Sequence, residues 1–185
     1  LTSPYGGLAQ CAMENLAHLA DRTTVSSHFL QSRFGGTKLY HGPDCGKFDP
    51  ALYNRQAARR KFCLEDGFYI LFTGKPASHK GVDDLCRAVR RLRKPNVYVA
   101  IAGPDRDRLR DLQRTYPNVI KYLGLLSHDM MPELLTAADM VCIPQKSVPY
   151  AEAQTPAKFF EAMAMANPVV ATSVADLPEI PQACG

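Results

Sequence analysis

Short, unbroken apolar runs alternate along this chain with segments whose apolar residues recur every three or four positions. Three of the runs, FYILFT at 68–73, VYVAIAG at 97–103 and MVCIP at 140–144, show no polar alternation, the pattern of strands buried on both faces. VIKYLG at 119–124 and PVVAT at 168–172 are weaker candidates of the same kind. Strands of this sort separated by helical segments predict an α/β domain, a Rossmann-like, doubly wound parallel sheet with helices on both faces.

The helical period is plain over 82–94, where Leu85, Ala88, Val89 and Leu92 form a stripe for the sheet and Arg87, Arg90, Arg91 and Lys94 a basic one. The basic stripe reads as a solvated face or as a weak contact for acidic lipid. TPAKFFEAMAMANP predicts another helix, with Thr155 as N-cap, Pro156 as first helical residue and Pro168 just beyond the end. Met163 and Met165 read as core packing. Residues 1–55 predict a helix from about Gln10 to Ala20, a short strand TTVSS, a helix HFLQSRF and a turn HGPDCG. A boundary near Asp21 divides the chain into a connecting helix, 1–20, and the domain proper, 21–185. The chain opens on Leu1 rather than Met, which suggests a piece of something longer.

At 185 residues and 46% hydrophobic content, one compact domain with a real core is expected. Its 22 basic and 18 acidic residues give a net charge of +4, which suits an anionic small molecule. No basic run with interleaved aromatics occurs, so nucleic acid is not the expected partner. The six cysteines lack Cys-x-x-Cys spacing and paired histidines, which argues for reduced thiols and a cytoplasmic setting rather than a zinc site or a disulfide framework. No apolar run approaches the roughly 18 residues of a membrane span.

Chemistry gathers at one strand end. In FTGKPASHKG, Lys75, His79 and Lys80 follow the first buried strand, on the rim where an open parallel sheet binds ligands. The helix led by Thr155 and Pro156 starts on the same rim, and its free amides and dipole favour an anion. Charge-assisted hydrogen bonds contribute about 1.5–3 kcal/mol each and a helix terminus about 0.3–1 kcal/mol, enough together for a diphosphate held in the micromolar range. Two solvated lysines in a polar loop remain the plain alternative. Neither Gly-x-Gly-x-x-Gly after a strand nor Gly-x4-Gly-Lys-Ser/Thr is present, which disfavours a nicotinamide dehydrogenase or a P-loop ATPase. Glu161, further along the second helix, reads as a buried paired acid or as an acceptor for a ribose diol.

Taken together, FTGKPASHKG, VAIAGPDRDRL, YLGLLSHDMMPELLTAADMVCIP and KFFEAMAMANPVVATSVADLPEI resemble the carboxy-terminal domain of GT-B glycosyltransferases of the large retaining family 4. The order and spacing match over about residues 21–180. The resemblance implies a nucleotide-sugar donor site, with no metal or other cofactor. Relatives carry Gly-Arg-x4-Lys-Gly after the first strand, whose counterpart here is Gly74, Lys75, Lys80 and Gly81. Lysine in place of arginine gives a point charge instead of a bidentate fork. The family's Glu-x7-Glu is half present: the second glutamate is Glu161, while the first falls on Ala153, beside Glu152. The implied catalytic residues are Lys75, Lys80 and Glu161, and the implied donor-binding set is Gly74, Lys75, Lys80, Leu126, Thr155, Lys158 and Glu161. The loop Leu125–His128 is expected to grip the base partly through its backbone, with His128 as a helix-start residue. The lysines would serve the charge that grows on the leaving diphosphate. UDP- or GDP-sugars are the expected donors. The acceptor would be bound by an amino-terminal domain that this chain lacks, so that by itself it would not transfer sugar, and the arginine stripe leaves room for peripheral association of the parent with the inner face of a membrane. A non-catalytic nucleotide-sugar-binding module, a nucleotide-sugar epimerase of the same fold and a simple phosphate-binding domain stay open as alternatives.

Overall fold

The computed structural model describes residues 14–64 and 66–180. Of the expected first helix, residues 10–13 lie outside that range, and the rest includes a short 3-10 turn, Leu16–Leu19. Two small parallel strands, β1 (Thr24–Val25) and β2 (Thr37–Lys38), flank α1 (His28–Phe34), which Ser27 caps by accepting a hydrogen bond from Leu30 N. After α2 (Arg55–Lys61) the main sheet begins. It comprises β3 (Phe68–Thr73), β4 (Val97–Ala102), β5 (Ile120–Gly124), β6 (Met140–Ile143) and β7 (Val169–Ala171), all parallel, in the order β5-β4-β3-β6-β7. The links are α3 (Val82–Leu92), α4 (Arg106–Thr115), α5 (Met131–Ala137), and then α6 (Pro149–Glu152) with α7 (Ala157–Ala164).

Parallel strands must be joined by crossovers, and these helices bury both faces of the sheet. Tyr69 and Leu71 of β3, Ala100 and Ala102 of β4, and Val141 and Ile143 of β6 join one core with residues of α2, α5 and α7. The alternate residues, Ile70, Phe72, Val99, Ile101 and Cys142, join a second core with α3 and α4. Alternation therefore separates two apolar sides rather than an inside from an outside, which is why these strands read as continuous apolar runs.

Three local expectations are corrected. In α3 the buried stripe is Val82, Leu85, Cys86 and Val89, spaced i, i+3, i+4, i+7, whereas Ala88 and Leu92 face solvent. That helix stops at Leu92 because Arg93 adopts a left-handed conformation. Thr155 is not the N-cap of α7; Pro156, with φ −71° and ψ 126°, takes that position, one residue earlier in the helix than expected of it. The Thr155 hydroxyl is buried and donates instead to the Ser26 carbonyl at 2.6 Å.

The chain moves outward from β3 through β4 to β5, then returns to place β6 on the other side of β3. The crevice between the carboxyl ends of β3 and β6 is thus the topological switch point. Gly81 lies there with φ +67°, and a Cβ on it would overlap the Pro144 carbonyl oxygen after β6. A Cβ on Gly103, after β4, would likewise overlap the Gly74 carbonyl oxygen. The loops on this rim pack backbone against backbone, and Lys146 N donates to the His79 carbonyl at 2.8 Å.

Gly81→Ala combines an unfavourable φ with that overlap, so it should destabilise the domain by at least about 2 kcal/mol, read as a lowered urea midpoint. An unchanged midpoint would mean the two loops do not need this approach.

Candidate functional site

The loop after β3 carries Gly74, Lys75 and Lys80 onto the rim. Gly74 has φ +107°, and the Lys80 Nζ lies 3.8 Å from where its Cβ would stand, so the lysine folds back over the strand end. Lys75 is exposed and has no ion-pair partner among the described residues. His79 packs edge-on against Tyr150 at 5.0 Å, and burial, aided by the neighbouring Lys80 charge, lowers its pKa.

From the other side of the crevice, α7 sends in Lys158. Its ammonium donates to the Thr73 carbonyl at the end of β3, at 3.0 Å, and sits 4.4 Å from the Phe72 ring centroid. Burial there, reinforced by repulsion from Lys80, lowers its pKa from 10.5 to about 7, against the opposing pull of Cys142 and Glu161. Burial pushes the Cys142 thiol up to about 11, so at neutral pH it brings no negative charge.

Among the described residues no carboxylate forms a salt bridge with Lys75, Lys80 or Lys158, whereas Lys38, Lys47, Lys61 and Lys146 each sit on one. Acids are close at hand: Asp83 and Asp84 occupy the first turn of α3. Both are already engaged, Asp83 by Arg108 and Asp84 by Arg87 and Lys146. The rim is therefore left with lysines that no carboxylate among the described residues neutralises, an arrangement that attracts an anion.

Glu161 stands one turn after Lys158 on α7. Its Oε1 accepts from His128 Nε2 at 2.9 Å, and Oε2 has no hydrogen-bond partner among the described residues. His128 does open a 3-10 turn, His128–Met130, but its ring is turned to Glu161 and packs 5.6 Å from Phe48. In the same loop Leu125 is exposed, while Leu126 packs against the core and leaves its backbone to serve any ligand. Glu152 does not replace the glutamate missing at Ala153. Both its oxygens are engaged, accepting from Ser147 Oγ at 2.8 Å and, from the segment after β7, Ala175 N at 2.7 Å.

The structure thus unites Lys80, Lys158 and Glu161, keeps Lys75 at the edge, and assigns the Thr155 hydroxyl to packing. A cluster with metal-like donors, His28, Asp176 and Glu179, lies elsewhere. There the Lys38 ammonium stands 2.6 Å from the histidine and 2.9 Å from Asp176, already supplying a positive charge. Cys45, Cys63, Cys86 and Cys142 are free thiols, while Cys11 and Cys184 fall outside the described residues. No helix among the described residues is long and apolar enough to cross a membrane.

Comparison with known proteins gives this geometry a family. The sequence profile of the family described as Glycosyl transferases group 1 matches residues 67–184. An uncharacterised glycosyltransferase of Methanocaldococcus jannaschii is 36% identical over 150 residues, covering 77% of this chain and 37% of that protein. The chain spans no more than 40% of the curated relatives it matches. HepE of Anabaena, solved in complex with UDP-glucose, aligns with a TM-score of 0.74 at 22% identity, covering 92% of this chain and 50% of that one. The C-terminal domain of a group 1 glycosyl transferase, LpcC of Francisella tularensis, aligns with a TM-score of 0.57 at 24% identity, covering 75% and 74% of the two chains. With the family profile covering more than half of it and the same parallel sheet in those structures, the chain belongs to the group 1 glycosyl transferases, as a C-terminal domain of the GT-B fold.

Proposed function

We propose that this chain is the donor-binding half of an enzyme that moves a sugar, with retention, from a nucleoside-diphosphate sugar to an acceptor bound outside it. The observation that carries this reading is the pair of lysines, Lys80 and Lys158, gathered over the carboxyl end of the central strand with no carboxylate bridged to either among the described residues. HepE, of the same fold, is solved with UDP-glucose, which makes UDP-sugars the first donors to test and GDP-sugars the second.

As the bond between sugar and diphosphate breaks, negative charge grows on the diphosphate oxygens. Ammonium groups already fixed in place favour that state over the intact donor, which is how preorganised charge accelerates a reaction. Lys80 acts from the loop and Lys158 from α7, with the exposed Lys75 closing on the ligand from the edge. These three supply the charge compensation that a metal supplies elsewhere. The free Oε2 of Glu161 accepts from the ribose diol. The backbone of Leu125–His128 holds the base. Retention is compatible with any acceptor, and the arginines of α3 leave the parent free to work at an anionic membrane surface.

The absent first glutamate, with Glu152 committed elsewhere, favours a second reading, a module that binds nucleotide sugar without turning it over. Release of free nucleoside diphosphate by the full-length protein in the presence of acceptor separates the two.

Lys80→Ala should weaken UDP or GDP binding about tenfold or more while leaving the matching nucleoside nearly unaffected, as calorimetry would show. Equal loss for both ligands would remove the diphosphate from this rim. Lys158 adds a pH signature. Its folded pKa, about 7, lies below the unfolded 10.5, so between those values the unfolded chain holds the extra proton and the empty domain gains stability as pH rises. A bound diphosphate restores the proton. Binding at pH 8–9 should therefore take up protons and weaken with rising pH, measured in buffers of different ionisation enthalpy, and Lys158→Met should abolish the uptake.

A further inference from the structure

We propose that His128 is a positioning residue for the carboxylate that reads the ribose, an inference that rests on the donor-site reading above. A carboxylate can only accept hydrogen bonds, so the 2.9 Å contact between His128 Nε2 and Glu161 Oε1 places the proton on Nε2. One oxygen of Glu161 is thereby pinned, and the other, Oε2, is left without a partner among the described residues. A free carboxylate on a long side chain samples several rotamers and loses that freedom when it meets a ligand; one held from behind has already lost it.

The histidine is itself held. The Phe48 ring, 3% exposed, packs against the imidazole at 5.6 Å, and the next residue, Asp129, is tied to Lys47 at 3.0 Å. Residues 47–48, far away in sequence, therefore hold the His128 segment from one side while the ring's other side stays open: the His128 side chain is 67% exposed and that of Glu161 15%. Here the braced ring ends on the glutamate one turn from Lys158, beside the paired lysines, and the pairing leaves the glutamate's second oxygen for the same ligand. His128 acts through Glu161 and needs no contact with the reacting atoms.

The test compares each variant for UDP, for 2′,3′-dideoxy-UDP, which lacks the diol, and for inorganic pyrophosphate, with the guanine pair substituted if GDP binds the wild-type chain more tightly. Wild type should prefer the diol-bearing ligand by about tenfold. His128→Ala should reduce that preference to less than about threefold with pyrophosphate affinity unchanged, and His128→Gln, which can offer an amide N–H from nearly the same place, should restore most of it. Glu161→Ala is the control on the underlying reading. If Glu161→Ala removes the preference and His128→Ala keeps it, the positioning role is wrong and the donor site stands. If Glu161→Ala keeps the preference, the ribose reading fails and the inference falls with it. Loss of pyrophosphate binding in His128→Ala would reveal a merely structural role, and absence of any nucleotide binding by the wild type would overturn both readings.

Discussion

The pairing of β3 with β6, Ile70 against Met140 and Leu71 against Val141, is the contact on which everything at the rim depends. It brings together two strand ends that the chain leaves in opposite directions, and so opens a crevice that no helix fills. Asp139, just before β6, fixes this pairing from the opposite end of the sheet. It accepts from Tyr69 N at 2.8 Å and from the guanidinium groups of Arg55 and Arg59. The paired strands are thus a fixed frame, against which the loop carrying Lys80 and the helix carrying Lys158 and Glu161 are set.

Charge at the rim is organised by exclusion. The first-turn acids of α3 favour the helix dipole and are drawn off by arginines and Lys146, so they do not quench Lys80. Lys158 is held by a carbonyl and an aromatic face, both weaker partners for an ammonium than a carboxylate. An ammonium kept in that state has a low proton affinity, which an anion placed beside it would raise. Lysines rather than arginine at this position make the hold one of charge more than of planar geometry.

Much of this architecture is legible along the sequence. The three central strands are readable because both their faces are apolar, and β5 and β7 are weaker because they lie at the edges and are only partly covered. β1 and β2, two residues each, are too short to show any period. The motif residues around Lys80 and Glu161 are recognisable by spacing, but their partners are not. Thr155 reads as a cap until Ser26, 129 residues away, takes its hydroxyl. The His128–Glu161 contact spans 33 residues and two elements, and the surroundings of Lys158 depend on Phe72 arriving from β3 and Lys80 from the loop after it. Local periodicity carries no record of such meetings.

The Thr155 hydroxyl and Ser26 carbonyl form a rivet between the small β1–β2 unit and the root of α7. With the bonds from His28 N and Lys38 to Asp176, it ties residues 24–38 to the segments around the helix that carries Lys158 and Glu161. The helix root and the small parallel unit are consequently buttoned together at one point, so neither can shift without stretching that contact.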